Sequence, residues 1–273
     1  MFPPTVIIGL YGILKKNPWF DQVVEQDEEG SLEEDLLGLA IDRAGSYGWR
    51  SLTSWLHENG KVTARHEPTA WAHEEVGGDW AQDGRVHQLA WLQAGVLTDP
   101  PRPGLPVRPI SLVLAEALAR VGTVTFTGLH VLLPLEAAER NTAFHQTELA
   151  PWFGLANPEA RYDVVVTVAC HPQQGGMGER DAVAVCESVR EMAQEAVEVS
   201  VSVAEGDLPG LELDLDRVLH TEGMREVMRL SCRTREWSPD IAVWLVEMVA
   251  DGLRGAGRLA PVVVTASLAS PPG

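Results

Sequence analysis

Lysine is nearly missing from this chain: Lys15, Lys16 and Lys61 are its only three. Acids outnumber bases 39 to 21, which leaves a formal net charge of −18. A field of that sign repels phosphate backbones and anionic headgroups, so nucleic acid and membrane surfaces are excluded as general electrostatic partners. Cysteine is scarce as well. Cys170, Cys186 and Cys232 are odd in number and far apart in the sequence, which is no disulfide framework and fits a reducing cytoplasm. No apolar run reaches the length of a membrane helix. The start, Met1-Phe2-Pro3-Pro4, has no basic residues ahead of its apolar run and no small-residue cleavage site after it, so no signal peptide is expected.

Chemical motifs are also sparse. There is no G-x-S-x-G elbow and no serine or cysteine in a nucleophile context. The glycines at 175, 176 and 178 lie between a predicted strand and a helix, as phosphate loops do. Their spacing is wrong, no Lys-Ser/Thr follows, and Glu179 and Asp181 at the helix start would repel phosphate. No cofactor motif is visible, and none is expected. His57, His66, His73 and His87 cluster with glutamates but form no H-E-x-x-H. Pro68 argues against a helix that would put His66 and His73 on one face, so no metal site is expected there.

What remains is an ordinary globular composition, 45% hydrophobic and 22% charged over 273 residues, long enough to bury a large core. Within it lies an internal similarity. Residues 109–132 and 240–268 both carry Ile, then six positions later a glutamate (Glu116, Glu247), in an apolar helical run that passes through Gly into a β-branched strand. Residues 5–11 and 164–170 are short, β-branched and apolar, as buried strands are. Helices are predicted over 31–44, with Ser31 and Glu34 as a capping box and Gly45 as a C-terminal cap, and over 179–194, where Ala182, Val185, Cys186, Val189, Met192 and Ala193 share a face.

The second half is the clearer. Residues 197–203 alternate strictly, 211–216 and 227–236 alternate again, Ser238-Pro239 opens a helix, and 262–268 is a last strand. The order β-α-β-β-α-β predicts a ferredoxin-like unit, with 211–216 as a possible extra strand. The first half fits less cleanly, with strands expected near 61–66 and 85–92. The fold class is therefore α+β (α/β in the broad sense): two fused ferredoxin-like halves with internal pseudo-symmetry, residues 1–135 and 163–273, joined by 136–162. Their sheets are expected to pack together or continue one another. This element order resembles the single-chain form of the dimeric α+β barrels, a likeness of architecture that gives no function.

Alternation also predicts which sheet face is which. Val197, Val199, Val201 and Val203 should face the helices, together with Met228, Leu230 and Cys232. Glu198, Arg229, Ser231, Arg233 and Arg235 should face away, with Thr167, His171, Thr265 and Ser267 of matching parity. Such a face could line a pocket for a small anionic or carbonyl-bearing molecule, with Arg229, Arg233, Arg235, Glu198 and Thr167 as ligand-binding residues. The competing expectation is a lattice of ion pairs, Glu198 or Asp214 against Arg229 or Arg233. His171 and His87, at predicted strand ends, are the candidate acid–base residues. The cysteines read as small buried hydrophobes. Six of the nine tryptophans fall in the first third; most are expected in the core or at a subdomain interface, and their density in a segment without regular period also suits a pocket or a partner-binding surface.

Two functions from different classes follow. One is a cytoplasmic enzyme or binder of a small molecule, with a pocket between the halves and cofactor-free acid–base chemistry such as cyclisation or isomerisation. The other is a non-enzymatic module that binds a basic protein, such as an immunity protein, inhibitor or secretion chaperone, through the acidic charge and the Trp/Glu-rich segment 49–80.

Overall fold

The computed structural model describes residues 4–21, 39–40, 43–44, 71–96, 104–139, 155–174, 177–201, 210–211, 213–215, 218 and 220–270, with the backbone alone at 71–74. The predicted helix over 31–44 lies mostly outside these residues, and the strand expected near 61–66 wholly so. So do His57 and His66, and the side chain of His73.

The described strands are β1 (Thr5–Lys16), β2 (Trp71–Gly77), β3 (His87–Val96), β4 (Gly122–Leu133), β5 (Tyr162–Cys170), β6 (Glu198–Val201), β7 (Arg225–Thr234) and β8 (Val262–Leu268). The helices are α1 (Val107–Val121), α2 (Glu179–Ala193) and α3 (Pro239–Gly255). The eight strands form one sheet in the order β2-β3-β1-β4-β8-β5-β7-β6, and every neighbouring pair is antiparallel. The fold is therefore mixed α+β. Residues 5–133 supply one side of the sheet and residues 162–268 the other, joined where β4 pairs with β8 from Gly128↔Ser267 to Leu133↔Val262.

Local chemistry accounts for the elements. β5 and β8 are runs of Val, Thr and Ala buried on both faces, as central strands must be. At α3, the Ser238 side chain accepts the Ile241 N–H and Pro239 occupies the first turn, which satisfies an orphan donor and presets φ. α1, α2 and α3 all cover the same sheet face. There Ile110, Leu114 and Leu118 of α1, Val185 and Val189 of α2, and Leu245, Val249 and Leu253 of α3 pack with Ile8, Leu129, Val131, Val166, Leu230 and Val264 in one cluster. At the sheet's edge, both Arg190 Nε and Nη2 donate to Val199 O of β6, at 3.3 and 2.9 Å. That caps an edge carbonyl otherwise open to another chain.

The two glutamates at matching positions of the sequence similarity differ in their surroundings. Glu116 pairs with Arg43. Glu247 is half-buried, and burial pushes its carboxyl up to about 7 against the opposing pull of Arg108 and Arg254. Arg254 Nε donates instead to Leu135 O at 3.0 Å, tying α3 to the segment that leaves β4.

One expected strand is corrected. The described residues of 211–216 (Leu211, Leu213, Asp214 and Leu215) belong to no strand. Leu213 and Leu215 pack on Ile7, Leu132, Ala169, Met224 and Val263, on the sheet face opposite the helices. The alternation there reflects leucines laid across a sheet, which needs no strand partner.

Leu129 of β4 is fully buried and sits opposite Ala266 of β8, so it packs where the two sides of the sheet join. Leu129→Ala should lower unfolding stability by about 2–5 kcal/mol. Val183→Ala, on the exposed side of α2 at 42% exposure, should stay within about 0.5 kcal/mol of the parent. Urea denaturation midpoints check both. A Leu129→Ala midpoint equal to the parent's would contradict the packing described.

Candidate functional site

Strand register places side chains on the face away from the helices in rows. One row crosses the sheet as Gly77, Trp91, Gly9, His130, Thr265, Thr167 and Arg229. The next runs Gln88, Tyr11, Gly128, Ser267, Val165, Ser231 and Ser200. Asp163, Arg233 and Glu198 lie one step further along. The parity predicted for 197–201 and 228–233 is the parity observed. Val199, Met228, Leu230 and Cys232 are in the helix-side core, and Glu198 and Arg233 are exposed.

The outer arginines are in ion pairs. Arg229 makes two 2.9 Å hydrogen bonds to Glu226, through Nε to Oε1 and Nη2 to Oε2. Arg233 Nε donates to Asp163 at 2.9 Å, and its Nη1 lies 3.5 Å from Glu198. Those carboxylates hold the Arg233 guanidinium above its ordinary value. Arg235, just beyond β7, is exposed, and Thr167 is half-buried. Of the two candidate histidines, His171 follows β5 and is half-buried. His87 opens β3 between two carboxylates, with Nδ1 2.8 Å from Asp79 and Nε2 2.7 Å from Asp83. The Asp83 hydrogen bond, aided by the charge of Asp79, raises the His87 pKa against the opposing effect of burial. His87 and His171 are far from each other along the sheet order, on β3 and after β5.

Neither histidine lies in the middle of the sheet. His130 does, and sequence reading passed over it. It is 0% exposed, and Nδ1 is 3.0 Å from the Tyr11 hydroxyl, with ring centroids 5.5 Å apart. Its Nε2 is buried with no hydrogen-bond partner among the described residues. Burial lowers the imidazole to about 4 and pushes the Tyr11 phenol well up, so both are neutral at pH 7. Space for the ring comes from Gly9. A Cβ there would lie 2.4 Å from His130 Cε1 and 2.6 Å from the Gln88 side-chain nitrogen, so any larger residue would displace both. The signal was present in the sequence: Gly128, His130 and Leu132 alternate with Leu129, Val131 and Leu133, which sets one imidazole on the face opposite the described helices.

Part of this face is covered. Gly210, at φ +59, sits against Val165 and Ser267 where a Cβ would crowd them. The Leu211 N–H donates to Ser267 Oγ at 2.8 Å. Thr265 and Ser267 are buried beneath. The central arrangement is thus a neutral imidazole and phenol in a hydrogen-bonded pair, flanked by hydroxyls and an amide. A neutral imidazole with one unpartnered nitrogen can donate or accept one hydrogen bond, or move one proton. The cysteines are free and buried. Burial pushes the Cys232 thiol up to about 12, away from nucleophilic use. No helix among the described residues is long and apolar enough to cross a membrane. Compared with family models, curated proteins and solved structures, the chain matches none.

The two perturbed histidines give opposite pH signatures in separate windows. His130 has a folded pKa below its unfolded one, so the unfolded chain binds the extra proton first. Stability is full above about pH 6.5 and falls as pH drops toward 4, by roughly 3 kcal/mol at the end of the window. His87 has a raised folded pKa, so its contribution is full below about pH 6.5 and is lost as pH rises through the folded value. In urea denaturation across pH 4–8, His130→Gln should remove that acid-side loss and leave the opposite slope set by Glu247, and His87→Gln should reduce the slope above pH 6.5. An acid-side slope unchanged in His130→Gln would contradict the burial of that ring.

Proposed function

We propose that this chain is a cytoplasmic small-molecule enzyme or binder built of two ferredoxin-like halves, residues 1–135 and 163–273, joined by 136–162. One observation supports the division and a second the compartment. The strand order reads β2-β3-β1-β4 on one side and β6-β7-β5-β8 on the other, so the same chain positions recur from each edge to the shared centre. The free, buried state of all three cysteines fits a reducing compartment.

The observation that carries the functional reading is the buried Nε2 of His130, which has no partner among the described residues. Leaving a buried polar atom unsatisfied costs about 1–3 kcal/mol, and such atoms in folded proteins call for an explanation. A bound molecule supplies one. The ligand would sit near the join of the halves, on the helix-free face, against His130, Tyr11 and Gln88, with Thr167 and the Arg229–Arg233 face toward one end. The chemistry in this reading is cofactor-free acid–base work of the kind that cyclisation or isomerisation needs. His130 would serve as the proton-moving group. His87 is already engaged by two carboxylates and His171 lies at the far end of β5, which favours His130 over both.

Binding of a basic protein is the second reading. It is supported by the −18 charge and by Trp19, which is 52% exposed beside Phe20 at the end of β1.

Native mass spectrometry of the purified protein tests the first reading. A small molecule should co-purify, and Tyr11→Phe should release it while leaving the circular-dichroism spectrum unchanged, since only a hydroxyl is lost. Arg233→Ala should leave the melting temperature nearly unchanged, because its ion pairs are exposed and such pairs contribute about 0–1 kcal/mol. A chain that carries a basic protein and no small molecule would support the second reading against the first.

A further inference from the structure

Building on that reading, we propose that the His130 site selects an uncharged hydrogen-bond acceptor, a ketone or amide carbonyl, and rejects the carboxylate of the same shape, with Tyr11 as the positioning residue that fixes the donor.

Among the described residues the surroundings of the ring are neutral. Gly9 and Thr265 flank His130 on the neighbouring strands. Tyr11, Gln88 and Ser267 fill the adjoining row. Along the His130 row the first cation is Arg229, on β7, three strands from β4. At about 4.8 Å per strand that is roughly 14 Å away, and the guanidinium is already doubly hydrogen-bonded to Glu226. An anion brought against His130 would therefore be stripped of water with no opposite charge beside it among the described residues, which is the costly case of charge burial. The chain's own net charge of −18 adds to the penalty. A carbonyl gives up far less hydration and needs only one donor.

The Tyr11 hydroxyl selects which tautomer supplies that donor. Its contact is with Nδ1. A phenol that keeps its proton is a good donor and a poor acceptor, whereas an imidazole nitrogen lone pair is a good acceptor. The favourable arrangement has the Tyr11 O–H donating to Nδ1, which leaves the ring hydrogen on Nε2. That is the buried nitrogen without a partner among the described residues, so the unpartnered position is an N–H. The tautomer follows from the bond the other nitrogen makes.

Nitrogen-15 NMR of histidine-labelled full-length protein at pH 7 tests this, with benzamide and benzoate as matched neutral and anionic probes. His130 should be in the Nε2–H form. Benzamide should shift its Nε2 resonance saturably, and benzoate should bind at least about tenfold more weakly, a difference of about 1.4 kcal/mol. Benzoate binding as tightly as benzamide would overturn the selectivity while leaving a small-molecule site in place. Failure of both probes to move the His130 signals would overturn the site itself. In Tyr11→Phe the ring should shift toward the Nδ1–H form, and the benzamide response should weaken while the fold is kept. An unchanged tautomer in Tyr11→Phe would overturn the role given to Tyr11.

Discussion

The pairing of β4 with β8 is the constraint on which the rest of the molecule depends. Six residue pairs, Gly128↔Ser267 through Leu133↔Val262, make one sheet out of strands drawn from opposite ends of the chain. Without that seam, α1 and α3 would have no common floor, since α1 packs over β1, β3 and β4 while α3 packs over β4 and β8. The seam also sets the site. It places His130 beside Thr265 and Gly128 beside Ser267, so the polar groups that converge there come from both sides of the sheet.

The two faces of the sheet solve different problems. The helix side is dry, and its residues from Ile8 to Val264 form one contiguous cluster. The other side mixes a small apolar patch of Ile7, Leu132, Ala169, Met224 and Val263 with buried Thr265, Ser267 and His130. Charge on that side is kept to the periphery, where Arg229 and Arg233 meet acids in partly or fully exposed pairs. Among the described residues the centre is neutral and the rim charged, so the arginines lie outside the group formed by His130, Tyr11 and Gln88. Of the cross-strand ion pairs that alternation allowed, Glu198 against Arg233 is present, whereas Arg229 pairs with Glu226 of its own strand.

How much of this the amino-acid order displays depends on how strictly each segment alternates. β8 was legible to the residue, because Val262 to Leu268 is an unbroken β-branched and small run after Pro261. β7 was legible with a two-residue offset, and α3 through Ser238 and Pro239, whose capping chemistry is local. Residues 211–216 misled, since Leu213 and Leu215 alternate in order to cover the sheet from outside. β2 was not foreseen, and β3 was expected near 85–92 against His87–Val96, because bulges at Glu74 and Leu89 break the period-two pattern. The site was legible only in its rim. Arg229 and Arg233 announce themselves by parity, whereas His130 and Tyr11 meet across 119 positions inside runs that read as apolar strand. Gly9, whose missing side chain makes room for the imidazole, looks in the sequence like any glycine in a strand.

A crystal structure of the native protein as purified, with no ligand added, tests the central claim most directly, because the claim concerns one atom. The account predicts non-protein density within hydrogen-bond distance of His130 Nε2, larger than a water and extending along the face beside Tyr11 and Gln88. Nε2 bonded instead to a side chain or backbone group of this same chain would contradict it and make His130 a satisfied core residue.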